Sequence, residues 1–304
     1  MSKKAWKFWV DRGGTFTDLI GCDSSGHLHI RKVLSEGGED DPAVQVMREL
    51  LAISAEEPLG HAQIESVRLG TTVATNALLE HRGAPLVLLT NHGLADLLRI
   101  GDQHRADLFA LAQSEKPFLA SEVVEVPGRL DAHGAELESP LWNDDVRNRL
   151  AALRISGFDD VVVALLHAQR NPAHELHCSD ELKALGFSRV VCSHQVSVKP
   201  RLVPRGQTAL VESAVAPVLH GYLQQVQTAL GSSTPLRVMT SSGALQSPES
   251  LMAKDTILSG PAAGMVGAIA AARASNFERV PVLGFDMGGT STDVFCVEAA
   301  EDAA

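Results

Sequence analysis

A nine-residue motif that occurs twice without a gap constrains this chain more than any other feature. Asp11-Arg-Gly-Gly-Thr-Phe-Thr-Asp18-Leu19 returns as Asp286-Met-Gly-Gly-Thr-Ser-Thr-Asp293-Val294, identical at six of nine positions. Each copy follows an apolar, β-prone run (Trp6 to Val10; Val280 to Phe285) and precedes another (Leu19 to Cys22; Val294 to Val297). That order reads as strand, tight turn, strand. A Gly-Gly turn alone is only a hairpin. A hairpin does not need the same aspartate, two threonines and second aspartate around it twice, so the repeat points to a duplicated device with a chemical use.

The rest of the chain alternates strand and helix patterns. Strands are expected at His27 to Leu34, Ile64 to Leu69, Pro85 to Thr90, Val161 to Leu166, Arg189 to Cys192 and Leu236 to Thr240. Helices are expected at Pro42 to Ile53, Thr72 to His81, Asp144 to Ile155, Pro172 to Ala184, Gly206 to Ala229 and Pro261 to Ala274. The class is therefore α/β, and 304 residues give room for about two domains. Asn91 to Leu141 is the least regular stretch and reads as a cap or surface insertion. Lys199 to Gly206 carries two prolines and a glycine, which makes it the expected crossover between halves. Nothing regular follows the second hairpin, so a second domain is expected to be incomplete.

Charge narrows the partners. Lys and Arg total 26 against 37 Asp and Glu, a net charge of −11. A nonspecific nucleic-acid or anionic-membrane binder needs a basic face, and neither partner is expected here. Any phosphate must be held locally, by backbone amides and a metal. No run approaches the ~20 apolar residues of a membrane span. Cys22, Cys178, Cys192 and Cys296 show neither metal-ligand spacing nor a disulfide framework, and a cytoplasmic location is expected.

The hairpins have the parts of an anion cradle. Glycines permit positive φ and close approach of N–H groups to phosphate, and threonine hydroxyls add donors. Gly13, Gly14, Thr15 and Thr17 supply these in the first copy; Gly288, Gly289, Thr290, Ser291 and Thr292 supply them in the second. Asp11 and Asp286 close the incoming strands, where each can hold Mg2+ through its water shell. Asp18 and Asp293 lie seven residues on and are further candidate metal or orienting carboxylates. Thr71, Thr72 and Asn76 open a helix after a strand, and can either contact an anion or carbonyl or serve as a helix cap. Ser259 and Gly260, before a small-residue helix, can likewise face a nucleotide or permit close packing. His167 follows a strand end, where ligand crevices form, but reads first as a structural histidine.

Facing phosphate hairpins from two related domains resemble the actin-like ATPase (ribonuclease H-like) superfamily. Val10 to Asp18, Arg68-Leu-Gly-Thr-Thr-Val-Ala-Thr-Asn-Ala-Leu-Leu-Glu80, Val203-Pro-Arg-Gly206, Leu258-Ser-Gly-Pro-Ala-Ala-Gly264 and Gly284 to Val294 together resemble the hydantoinase/oxoprolinase family, and within it the ATP-dependent 5-oxoprolinases. The resemblance implies an N-terminal domain over residues 6–200 and the start of a second over 201–304. It also implies ATP and Mg2+ as cofactors, and ATP-driven hydrolysis of a small cyclic amide, 5-oxo-L-proline, to L-glutamate. An ATP-dependent hydantoinase and an acetone-carboxylase-like subunit are alternatives, as is a split-gene binding subunit without turnover alone. The expected partner is a complementary downstream chain or a second copy. Thr90-Asn-His-Gly-Leu-Ala-Asp and Val211-Glu-Ser-Ala-Val-Ala-Pro217 depart from the family pattern and bear on which substrate is used.

Overall fold

A computed structural model of the chain describes residues 5–35, 41–54, 57, 59, 64–80, 83, 85–105, 107–112, 117–231, 234–277, 280–287 and 292–298. It forms two compact units, Met1–Leu79 with Val218–Ala304, and Glu80–Pro217. In chain order, the first unit begins with β1 (Trp6–Arg12), β2 (Phe16–Cys22), β3 (Leu28–Leu34), α1 (Pro42–Leu51), β4 (Ile64–Thr71) and α2 (Val73–Leu79). The second unit holds β5 (Leu86–Asn91), α3 (Leu97–Ile100), β6 (Ala120–Val126), β7 (Arg129–Leu130), β8 (Glu136–Glu138), α4 (Asp144–Ile155), β9 (Asp160–Val163), α5 (Ala173–Ala184), β10 (Arg189–Cys192) and α6 (Ser193–Val196). Helix α7 (Leu202–Leu230) leads back to the first unit, which adds β11 (Leu236–Met239), β12 (Leu245–Gln246), α8 (Ser259–Ala274), β13 (Val282–Met287) and β14 (Thr292–Val297).

The first unit is built on a six-stranded sheet in the order β12-β11-β4-β1-β2-β3. β1 runs antiparallel to β2 and parallel to β4. Side chains alternate across a strand, so Phe8 and Val10 point into the core while Trp9 and Asp11 lie on the opposite face. Helix α1 packs on β2 and β3 and buries Val44, Val46 and Met47. Strands β13 and β14 form a separate two-stranded sheet within the same unit.

The second unit is a parallel sheet in the order β10-β9-β5-β6. All six residues of β5 and all four of β9 are buried, as a parallel strand covered on both faces requires. The region read as a cap is partly core: β6 pairs with β5, and Val124 and Val126 join the cluster of Val87, Leu89, Val161 and Val163. The expected crossover also differs. Helix α7 begins at Leu202, and Pro204 fits inside its first turn, where backbone N–H groups lack helical partners anyway. The compact units part at Leu79/Glu80 and at Pro217/Val218, the latter inside α7.

A buried polar hub organises the ends of β9 and β10. Glu175 is fully buried, and its Oε1 accepts from Leu165 N (2.9 Å) and Ser193 Oγ (2.5 Å). Its Oε2 accepts from His194 N (3.0 Å) and pairs with His194 Nδ1 (2.6 Å). Arg205, also without exposure, donates from Nε to Ser193 Oγ (2.8 Å) and from its terminal nitrogens to Gln169 Oε1 (2.8 Å), the Lys199 carbonyl (3.1 Å) and the Leu165 carbonyl. Removing one member strands the others in a dry interior. Glu175→Ala should therefore cost about 3–5 kcal/mol of unfolding free energy, read as a lowered urea midpoint.

Candidate functional site

The first hairpin is closed by Gly13 N donating to the Phe16 carbonyl at 3.0 Å. Its two glycines serve space and not handedness: neither Gly13 nor Gly14 has the positive φ expected of them. A Cβ on Gly13 would lie 2.9 Å from the Phe16 carbonyl oxygen, and one on Gly14 would lie 3.2 Å from Asn76 Nδ2. Thr15 is exposed at the tip. Thr17, by contrast, is fully buried, and its hydroxyl shares a 2.9 Å hydrogen bond with Ser35 Oγ. Ser35 Oγ also donates to the Gly13 carbonyl, and Ser35 N to the Thr15 carbonyl. Thr17 thus supports the turn from beneath.

Around this turn the fold gathers several of the other candidates. Thr72 N and Oγ1 both donate to the Arg12 carbonyl, at 3.0 and 3.3 Å. Asn76 lies one helical turn on, with Nδ2 3.4 Å from Thr72 Oγ1 and against Gly14. Thr71 is buried and caps α2, its Oγ1 accepting from Val73 N at 3.2 Å. Ser259 is buried too, and donates to the Thr71 carbonyl at 3.2 Å. Both therefore hold backbone in place, while Thr72 and Asn76 remain partly open beside the turn. Gly260 sits in the first turn of α8 with open space where a Cβ would be. His167 has φ 59°, and its carbonyl accepts from Arg170 N and Asn171 N, a turn role.

The carboxylates fall into register. Asp11 pairs with Asp18 across β1 and β2, and Asp286 pairs with Asp293 across β13 and β14. Asp18 is bridged by Lys32 Nζ at 2.7 Å. Although Asp11 is exposed, loss of water around its carboxyl raises its pKa, and the charges of Asp18 and Asp286 act in the same direction against Lys32. Thr292 opens β14 and is exposed; Gly288, Gly289, Thr290 and Ser291 lie outside the described residues.

Among the described residues, one Glu/Cys/His group has metal-ligand proximity, Glu175 with Cys192 and His194. It is a poor metal set: the carboxylate is saturated by four donors, Arg205 adds a cation, and burial pushes the Cys192 thiol up to about 12. Ser35, Lys32, Asp41 and Tyr222 were not evident from the motif. Ser35 follows from the β2–β3 register, which pairs Phe16 with Leu34; Tyr222, the chain's only tyrosine, gives no local signal.

Residues 7–186 match the hydantoinase/oxoprolinase N-terminal region, and residues 205–303 match the hydantoinase/oxoprolinase family. The chain is 34% identical over 320 residues to 5-oxoprolinase 1 of Arabidopsis thaliana, covering 95% of this chain and 25% of that protein. It is 30% identical over 311 residues to caprolactamase subunit alpha of Pseudomonas jessenii, covering 97% and 44%. The crystal structure of ATP-dependent caprolactamase from Pseudomonas jessenii superposes with a TM-score of 0.76 at 26% identity, over 95% of this chain and 43% of that one. The nucleotide-free structure of acetone carboxylase gives 0.81 at 22% identity, over 97% and 44%, which speaks to fold alone. The chain spans about a quarter of the length of the curated 5-oxoprolinases it matches. The repeated Asp-x-Gly-Gly-Thr motif, an α/β fold shared with these structures and two matched regions place the chain in the hydantoinase/oxoprolinase family, with the actin-like ATPase type of fold.

Proposed function

We propose that this chain carries the nucleotide-phosphate wall of an ATP-dependent cyclic amide hydrolase that converts 5-oxo-L-proline to L-glutamate. The observation that carries the reading is the pairing of Asp11 with Asp18 and of Asp286 with Asp293 on two hairpins whose charges interact. The names of the relatives, 5-oxoprolinase and caprolactamase, supply the substrate class.

The donor set suits a hard cation. Two exposed aspartates that repel one another lose that repulsion when a divalent ion stands between them, and oxygen ligands are what magnesium takes. In this reading Asp11 and Asp286 hold Mg2+ through its water shell, with Asp18 and Asp293 behind, and the ion supplies charge neutralisation at the transferring phosphoryl group. Gly13, Gly14 and Thr15, with Gly288, Gly289, Thr290, Ser291 and Thr292, cradle phosphate. Thr72 and Asn76 contact phosphate or substrate, Thr71, Ser259 and Gly260 shape that edge, and Thr17 keeps the turn in place.

An unstrained lactam resists water, so the γ-phosphoryl group passes to the amide oxygen and ADP leaves. One water adds at the ring carbon, the C–N bond opens with the proton going to nitrogen, and a second water releases phosphate. Overall, lactam, ATP and two waters give glutamate, ADP and phosphate. This chain's residues orient the phosphates and exclude geometries other than in-line transfer.

A second reading, a binding subunit that needs another polypeptide for turnover, is favoured by the second hairpin. Leu283, Phe285, Met287 and Val294 are 61–73% exposed there, a surface suited to a complementary chain or a second copy. A cytoplasmic site of action is part of the proposal. No helix among the described residues is long and apolar enough to cross a membrane.

Oxoproline-stimulated phosphate release should be weak from this chain and restored by adding a polypeptide that supplies the part of the relatives' length this chain does not span; strong release from a monodisperse monomer, checked by light scattering, would rule out the need for a partner. In the restored assembly, Asp286→Asn should lower turnover at least a hundredfold, a loss typical of removed transition-state charge stabilisation. Asp11→Asn tests the carboxylate pair in the free chain. A carboxyl whose folded pKa lies above its unfolded value of 3.8 loses stability as pH rises through the interval between the two. The variant should therefore melt no lower than the parent at pH 7 without metal, and the fall between pH 4 and 7 should be smaller.

A further inference from the structure

The two hairpins share six of nine motif residues, but they are mounted differently. In the second copy the residue after the first aspartate is Met287, 72% exposed. In the first copy it is Arg12, whose guanidinium lies 4.6 Å above the ring of Tyr222 in α7, with Nε 3.4 Å from Asp41 Oδ2. Asp41 in turn caps α1, its Oδ1 accepting from Ala43 N at 2.9 Å. Phosphate chemistry does not call for an arginine at this place, since the repeat does without one.

Nor is the arrangement what stability alone would select. Arg12 Nε, Asp41 Oδ2 and Tyr222 Oη are all buried and face one another, yet the Arg12–Asp41 contact is long for a hydrogen bond at 3.4 Å and no ideal geometry forms within the trio. Three such atoms carry a desolvation cost that an apolar trio of the same volume avoids. What the trio gains is direction. A planar cation held over a ring and beside a carboxylate fixes the angle at which its own backbone leaves the sheet, and the next residue is Gly13. The same residue's carbonyl is pinned by Thr72, so both the side chain and the main chain of Arg12 are held.

We propose that Arg12 is a positioning residue for the first hairpin: latched to Asp41 and Tyr222, it holds the Gly13–Phe16 turn in its phosphate-receiving orientation. The word phosphate rests on the nucleotide reading above; the latch itself does not.

Amide hydrogen exchange of the 304-residue chain, followed by NMR, separates the two. The Gly13 and Ser35 amides bond across the turn, to the Phe16 and Thr15 carbonyls. In Arg12→Gln and in Tyr222→Leu these two amides should exchange about tenfold faster, while the protected amides of the β1–β4 ladder keep their rates. Tyr222→Phe, which keeps the ring, should restore the parent rates. Unchanged exchange at the turn in Tyr222→Leu would overturn the proposal. So would equal acceleration throughout the sheet, since the trio would then be a general stability element. If Arg12→Gln does not fold, Arg12→Lys and the two tyrosine variants decide the same question. Adding Mg·ATP should slow Gly13 exchange in the parent chain, with about tenfold more nucleotide needed in Tyr222→Leu. No slowing in the parent would count against the nucleotide reading alone.

Discussion

Two negative charges placed directly across a β-hairpin repel, and this chain does it twice, at Asp11 with Asp18 and at Asp286 with Asp293. Much of the first unit can be understood as making that placement tolerable. Lys32 on β3 neutralises Asp18 from the solvent side, where screening keeps its contribution small. Among the described residues Asp11 forms no such close ion pair, and loss of water with the charges of Asp18 and Asp286 raises its pKa against the pull of Lys32. The unit therefore presents Asp11 at a turn lined with small residues and hydroxyls, the feature on which the proposed cation and phosphate site rests.

The second unit solves a different problem. A parallel sheet leaves strand ends and loop amides that must find partners, and here a buried carboxylate and a buried guanidinium collect them. Glu175 takes donors from the loop after β9 and from the start of α6; Arg205 takes carbonyls from the loop after β9 and from the approach to α7. Burial also holds the Cys178 and Cys192 thiols near 12, which leaves both unreactive. The chemistry-bearing groups of this unit are thus structural, in contrast to the open carboxylates of the first.

Much of this was legible in the sequence because it rests on local pattern. The hairpins, the alternation of Phe8 and Val10 with Trp9 and Asp11, and the helices after Pro42 and Asn143 follow from periodicity and capping residues. Other features depend on topology. β6 reads Ala-Ser-Glu-Val-Val-Glu-Val, too charged to look like core, and only pairing with β5 buries Val124 and Val126. Glu175, Ser193 and Arg205 meet because parallel strands bring distant loops to one edge, which spacing does not encode. Lys199 to Gly206 reads as a break because two prolines and a glycine interrupt the pattern, yet the first turn of a helix accepts Pro204. Thr17 shares its motif with Thr15, but Thr15 lies exposed in the turn while Thr17 sits on the buried face of β2, so the same residue type does opposite work.

The pairing of β1 with β4 sets Gly70 beside Asp11, where an added Cβ would stand 3.4 Å from Asp11 Oδ1. An alanine would just touch the carboxylate, and any longer side chain would turn it away from its present direction. Positions 11 and 70, far apart in the chain, are therefore coupled in space: a side chain at 70 meets the Asp11 carboxylate first and the Val10 carbonyl, at 3.7 Å, next.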